Sequence, residues 1–528
     1  MSLDLLRKLQ KLALFLLIVF LPLSSIPKKF ALPGFGGNLS NYFLFIGVLL
    51  VLYEWFKYGL EVEYKAKLFF VLYIIWQFIC LIHGLYYFEF NEMLTLNQIP
   101  NLNVVLGKMS NYGLVVDELV AIKFWILLKS SRNILLLNSI VFLLCFYIWH
   151  IYKNNFTEAF MDIRKAFMYL IIIMSIYSFF ELLFLKFNLS FAKDILITIN
   201  PYLYDPMISH GWHPPLIWKN QLRSIFTEPS FFGIVGALCL PLLWSYILEP
   251  NNKFIILFMN FYFTFMIAAT NARTAVILAL GELLLLYLYN IVLKKREYFI
   301  KTTVVLVISL FAFGTNIVDF KSFIPVSKSF NDIIVAQKEY KEIRKSNITI
   351  ENIVVKKAND YVSKNITSVT NKKSRSNEAR FSNLVANLNT IKEYPFMGVG
   401  TGLKDAYLDR NFTLEARKNG EVKLWSKYLH KEGVLKSGFP SLNKYADVAV
   451  QNGIIGLLLY ISVAVHLTWK LLQRRKLLCD DYRVIILVIA TIGLLIAQLS
   501  SAYFVVCNGI VWGLLYCKLE EIRKVESR

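Results

Sequence analysis

The sequence predicts an all-α polytopic membrane protein with about twelve transmembrane helices and one large extracytoplasmic loop between spans nine and ten. Three observations point there. Hydrophobic residues make up 56% of the 528-residue chain, and the mean hydropathy is +0.51. Apolar stretches of roughly 16 to 20 residues recur along its length, each long enough to cross a hydrocarbon core. Short basic connections fall repeatedly on one side of that pattern.

Taken in order, the spans lie near 12–27, 42–57, 68–86, 133–151, 166–185, 228–247, 254–270, 274–291, 301–316, 449–468, 484–499 and 501–517. The first stretch, "LRKLQKLALFLLIVFLPLSSIP", has the basic and apolar regions of a signal peptide. It lacks a small-residue cleavage site and further spans follow, so it reads as the first span. Residues 115–128 are apolar but interrupted by Lys123, and read either as a helix near the interface or as an extension of the fourth span. No internal repeat is visible, which disfavours inverted-repeat transporters. The organisation is therefore residues 1–316 carrying spans one to nine, a loop domain over 317–448, and residues 449–528 carrying the last three spans and a cytoplasmic C-terminus.

Arg7, Lys8 and Lys11, then Lys57, Lys65 and Lys67, Lys294, Lys295 and Arg296, Arg474, Arg475 and Lys476, and Arg523 and Lys524 share one side, expected to be the cytoplasm. The segment 186–226, the turn "ATNART" and the long loop then meet on the outside. Five cysteines fall in or at the ends of spans and Cys479 in a cytoplasmic connection, so neither a disulfide framework nor a cysteine-based zinc site is readable.

The net charge of +21 is in large part positive-inside signal, and no nucleic-acid motif accompanies it. The outer loop carries 23 Lys and Arg against 14 Asp and Glu. Long translocated loops are exempt from the inside rule, so this excess reads either as a lysine-rich solvated surface or as attraction for an anionic substrate or lipid headgroup. The stretch 321–373 is compatible with helices, a strand pair or a lid, and its Asn-x-Thr matches carry no weight in an Asn-rich chain.

The residues that invite chemistry stand where helices begin. In "QLRSIFTEPSFFG", Pro229 suits a first helical turn, and Thr227 or Glu228 can cap its amides. Glu228 then either complements the positive helix end or works in a site. Arg223 reads either as an interfacial anchor or as a fork for phosphate oxygens beside a helix end. Arg273, in "NART", is held near the same surface, as an anchor near a helix end or as a second phosphate ligand, and Arg380 is available from the loop. Together the three would bind a pyrophosphate whose lipid tail stays in the bilayer. Among acids inside apolar runs, Glu282 reads as an interhelical hydrogen-bonding group, and Glu181 is a functional candidate by position.

Set side by side, "RSIFTEPSFFG", "NARTAVILAL", "RFSNLVANLNTIKEYPFMGVGTGLKDAYL" and "NKYADVAVQNGIIGLLLY" resemble the bacterial polysaccharide polymerases and O-antigen ligases of the Wzy/WaaL superfamily, over roughly residues 166–518. The family's arginine-led helix, proline with a Gly-x-Gly element and Gly-Ile-Ile-Gly helix start fall on Arg380, Pro395, Gly398, Gly400, Gly402, Gly453 and Gly456. The "EPS" wording looks more like polymerases of O-antigen, capsule or exopolysaccharide. Ligases of the family carry an essential histidine at a place that falls near Leu442 here, and no histidine is there; His430 lies upstream.

The resemblance implies a GT-C-like, metal-independent membrane glycosyltransferase of the bacterial cytoplasmic membrane with its active site facing the exterior. Its donor and acceptor would both be undecaprenyl-pyrophosphate-linked oligosaccharides, and a flippase and a chain-length regulator would be its protein partners. Membrane lipids are expected around it and nucleic acid is not. Such transfer needs an acceptor hydroxyl deprotonated as it attacks, and a departing pyrophosphate stabilised. Arg223, Arg273 and Arg380 fit the second need. Glu228 is the first candidate base, with His430 and Asp447 behind it. Glu228 suits the role only if burial raises its pKa against the nearby arginines. No Asp-x-Asp motif is present, so no metal or other cofactor is expected. The alternatives are a ligase of the same superfamily and a flippase for the same lipid-linked glycan; a purely structural component explains neither Arg223 nor Arg273.

Overall fold

The computed structural model describes residues 2–32, 36–59, 64–153, 155–205, 215, 217–218, 220–249, 254–293, 296–317, 375–475 and 481–526. The loop stretch 321–373, Lys294, Lys295, Lys476 and Cys479 lie outside the described residues.

The chain is an all-α polytopic membrane protein. Its helices are α1 (Leu3–Val19), α2 (Leu39–Tyr58), α3 (Tyr64–Tyr86), α4 (Pro100–Asn111), α5 (Glu118–Asn133), α6 (Ile140–Tyr152), α7 (Phe156–Phe187), α8 (Ser190–Leu203), α9 (Pro229–Leu248), α10 (Phe254–Ala269), α11 (Arg273–Leu293) and α12 (Arg296–Ile317). Beyond the loop follow α13 (Arg375–Glu393), α14 (Lys404–Asn411), α15 (Gly420–Glu432), α16 (Lys444–Gln473), α17 (Tyr482–Ala497) and α18 (Val506–Glu526). Among the described residues, 8 helices are long and apolar enough to cross a membrane, and Phe254–Ala269 and Tyr482–Ala497 are shorter apolar helices.

Each expected span falls on a helix, with three differences that have physical causes. The first helix runs over Leu3–Val19 and gives way to turns before Pro22, since a proline disfavours helix in the residue ahead of it. Residues 115–128 extend the fourth span: α5 continues through a π-helical turn, Ile134–Asn138, into α6, so that Glu118–Tyr152 is one 35-residue span. The last span begins at Val506, because Ala502 N–H is taken by Ser441 O at 3.1 Å and Phe504 sits at φ 57, which turns 501–505 into a loop.

The sequence of α9 is apolar on every side, and 94% of its span is buried; it packs against α7, α10, α11, α12 and α17. Its N-terminal end, where Glu228 stands, is thus central in the bundle. At the opposite end two of the expected basic residues pair with acids, Arg7 with Glu54 at 2.6 Å and Arg474 with Glu526 at 2.8 Å, and Arg164 on Glu249 at 2.6 Å and Lys518 on Asp481 at 3.3 Å join them there.

The Gly-x-Gly element joins the outer loop to the bundle. Its Val399 N–H donates to Val450 O at 2.8 Å and Gly400 N–H to Gln451 O at 3.0 Å, while Ile454 N–H returns to Pro395 O at 2.8 Å. These bonds are open because α16 breaks at Gly453 (φ 68, ψ −176). The carbonyl freed at Asn452 accepts from Trp76 Nε1 on α3 at 2.9 Å. Gly398 (φ +66) lies so close that a Cβ would stand 2.4 Å from Val450 O. The glycines therefore form a latch between α3, α16 and the loop helices. Above it, α13, α14 and α15 share a small core of Ala379, Ala386, Leu408, Phe412, Leu429 and Phe439.

Candidate active site

Three of the residues singled out in the sequence converge at the non-basic end of the bundle. Glu228 precedes Pro229 as N-cap of α9, one residue outside the span, and its side chain makes no cap bond. Instead Oε2 accepts from Ser230 Oγ at 2.9 Å. Burial raises the Glu228 carboxyl above the usual range, opposed by the Ser230 bond and the charge of Arg380. The condition set by the sequence is met: desolvation outweighs the cation.

Arg380 approaches from α13 and donates to Ser500 O at 2.9 Å. Three residues earlier on the same helix face, Asn377 Oδ1 accepts from Arg273 Nη1 at 2.7 Å. Burial pushes the Arg380 guanidinium below its usual range, as does the charge of Arg273, while Glu228 and Glu421 act the other way. Two guanidinium groups held within electrostatic reach of each other favour any anion that enters between them.

A second cluster adjoins the first. Lys404 Nζ donates to Ser441 Oγ at 2.6 Å and to Asp447 Oδ1, and Ser441 Oγ donates to Asp447 Oδ1 at 3.0 Å. Burial works against the Lys404 cation, but Asp447 and Asp405 outweigh it and hold Lys404 above the usual lysine range. Between the clusters lies Tyr503, 46% exposed, within electrostatic reach of Glu228, Asp447 and Lys404. Its ring packs on Phe231 with centroids 4.7 Å apart.

Arg223 occupies a different place. It is 0% exposed; its guanidinium donates to Phe226 O and, at 3.0 Å, to Tyr177 OH, and lies 4.6 Å from the Tyr204 ring. The backbone N–H groups of Arg223 and Ser224 bind the two oxygens of Glu181 at 3.1 and 2.8 Å. The expected phosphate contact does not fit this geometry. A loop that dives among α7 and α8 turns the arginine inward, where it supports the loop that leads to Glu228. Glu181, singled out as an acid in an apolar run, finds its partners here. Arg223→Ala removes a buried cation and should cost about 3 kcal/mol or more of stability, read as a lowered thermal midpoint. Lost activity at an unchanged midpoint would instead place the guanidinium on substrate.

His430 and Asp447 are also corrected as base candidates. His430 sits on α15 with Nε2 3.0 Å from Asp409 Oδ2, an acid that also accepts from Ser426 Oγ at 2.8 Å. Among the described residues its polar partner is Asp409, and it does not join Glu228. Asp447 is committed to Lys404 and Ser441, so accepting a proton would break a buried ion pair.

Residues 258–461 match the Wzy_C family model, described as O-antigen ligase. That segment is similar to the O-antigen ligase family, consistent with the Wzy/WaaL superfamily. No curated protein matches the chain. The segment contains Arg273, Arg380, Lys404, His430 and Asp447, whereas Arg223 and Glu228 precede it and Tyr503 follows it. The match supports a membrane glycosyltransferase-like enzyme of the ligase and polymerase superfamily, and lends the flippase alternative no support.

Sequence reasoning missed Asn377, Lys404 and Tyr503. The three-residue spacing of Asn377 and Arg380 was a signal that one helix face carries both. Tyr503 gave none, because it stood inside an expected span.

Proposed function

We propose that the protein is a polysaccharide polymerase of the outer face of the bacterial cytoplasmic membrane, acting on undecaprenyl-pyrophosphate-linked glycans without a metal. The observation that carries this reading is the convergence of Arg273, Arg380 and the half-buried Glu228 at one end of the bundle. The acceptor is the nonreducing end of a lipid-linked repeat unit, and the donor is the growing chain. An acceptor hydroxyl oxygen bonds to the donor's anomeric carbon, the bond from that carbon to the pyrophosphate oxygen breaks, and the hydroxyl proton passes to Glu228. Undecaprenyl pyrophosphate leaves with its negative charge facing Arg273 and Arg380. Lys404 and Asp447 hold the base of α16, and Tyr503 separates their charges from Glu228.

Polymerase is favoured over ligase by the place where the resemblance puts the ligase histidine. Leu442 stands there, packed on the apolar core of the loop helices.

Purified protein given a lipid-linked repeat unit should build a ladder of longer glycans. Arg273→Ala and Arg380→Ala should each reduce laddering by roughly 10²-fold or more, the scale of losing one oxyanion donor, with normal expression. Transfer to a lipid A core acceptor without laddering would establish the ligase reading instead, and normal chain lengths in both variants would remove the two arginines from the site.

A further inference from the structure

At the other end of the bundle, away from the candidate active site, α3, α6, α16 and α18 enclose a cavity of about 680 Å³. Its depth is aromatic: Phe69 and Phe70 of α3 and Phe142 of α6 meet edge to face at 5.1 and 6.4 Å, and Phe146 and Trp149 continue that wall. The opposite wall is polar, where His466 Nδ1 lies 2.8 Å from Tyr516 OH. Its mouth is basic. Lys65, Lys470, Arg474 and Arg523 line it with a single acid, Glu520.

Two of these cations have acidic partners. Arg474 is paired with Glu526 at 2.8 Å and Arg523 with Glu520 at 3.7 Å. Among the described residues, no carboxylate lies against Lys65 or Lys470. Among the described residues, net positive charge thus sits at the rim of an apolar hole, at the level where α16 ends. The part of α16 beyond its break at Gly453, residues 454–473, is about 30 Å long, and Asp447 lies on the far side of that break, so cavity and candidate active site belong to opposite membrane surfaces.

A hole with this layout matches one molecule of the adjacent leaflet: an acyl chain against phenylalanines, a phosphate among lysines and arginines. A zwitterionic lipid would present its own cation to the same rim. We propose that this cavity is a binding site for an anionic glycerophospholipid, phosphatidylglycerol being the simplest case, which fills the gap between α3, α6, α16 and α18. The occupant bridges α16 to α18, whose other ends carry Asp447 and adjoin Tyr503. The proposal is independent of the catalytic reading.

The full chain, delipidated in a mild detergent, is titrated with phosphatidylglycerol and phosphatidylcholine under native mass spectrometry. Phosphatidylglycerol is expected to bind at least roughly tenfold more tightly, equivalent to about 1.4 kcal/mol, and the Lys65→Gln, Lys470→Gln double variant to lose that preference. Diazirine-bearing phosphatidylglycerol on the unaltered protein should crosslink to peptides containing Trp149 or Tyr516, which keeps the test valid should the variant fail to fold. Equal binding of the two lipids, crosslinks confined to other helices, or displacement of the lipid by inorganic phosphate alone would each overturn the proposal.

Discussion

Glu228→Gln should lower the rate of glycan transfer by roughly 10²- to 10⁴-fold, the loss typical of removing a general base, while leaving the fold intact. The amide has the same shape and can still accept from Ser230 Oγ, and the native side chain makes no cap bond on which α9 depends. The same carboxyl sets a pH dependence whose sign is fixed. A base must be deprotonated to act, so activity climbs as pH rises through the Glu228 pKa. Because burial raises that pKa, the acid limb should lie above the ordinary glutamate value of about 4.3. Arg380 opposes the rise, so Arg380→Met should move the limb to still higher pH in whatever activity remains. The measurement is a pH profile of ladder formation for the three proteins. A profile flat across the acid range in the unaltered enzyme, or one left in place by Arg380→Met, would exclude Glu228 as the base.

Gly453→Ala should be the most damaging single methyl group in the chain. The residue holds φ 68 and ψ −176, a region open essentially to glycine alone and worth about 1–3 kcal/mol of strain for any other residue. Its Cβ would stand 1.9 Å from Phe396 O and 2.2 Å from Phe396 C, both backbone atoms that cannot swing aside. Relief requires opening the Ile454 N–H to Pro395 O bond and with it the latch between the loop helices and α16. A large fall in thermal midpoint, with loss of activity, is expected. Gly281→Ala is the internal control, since nothing lies within 4 Å of a Cβ added there, and alanine is the better helix former by about 1 kcal/mol. Equal midpoints for the two variants would show that the latch carries no structural load.

Part of the site was legible in one dimension. Glu228 and Arg273 each stand where an apolar run begins, and Arg380 belongs to a helix that the family resemblance already singled out. Arg223 reads the same way in the sequence, yet its guanidinium lies beneath Tyr177 and Tyr204. Hydropathy fixes the depth of a residue along a span but not the direction of its side chain, and for an arginine in a loop that direction is the whole question. His430 and Asp447 illustrate the complementary case: each is an eligible base by residue type, and each is held apart from Glu228 by a partner more than twenty positions away.

The sequence alone determined the class of the protein, the places of its spans and the gathering of basic residues at one end, because these follow from composition, period and local turn chemistry, which are properties of neighbours in the chain. The tertiary structure decided which cations share a site, that Glu228 is half-buried among them, that Tyr503 stands beside it and that the glycine motif is a latch. Those outcomes depend on close packing between helices far apart in sequence, where a shift of a few ångströms separates a ligand from a buried strut, and no local rule records it.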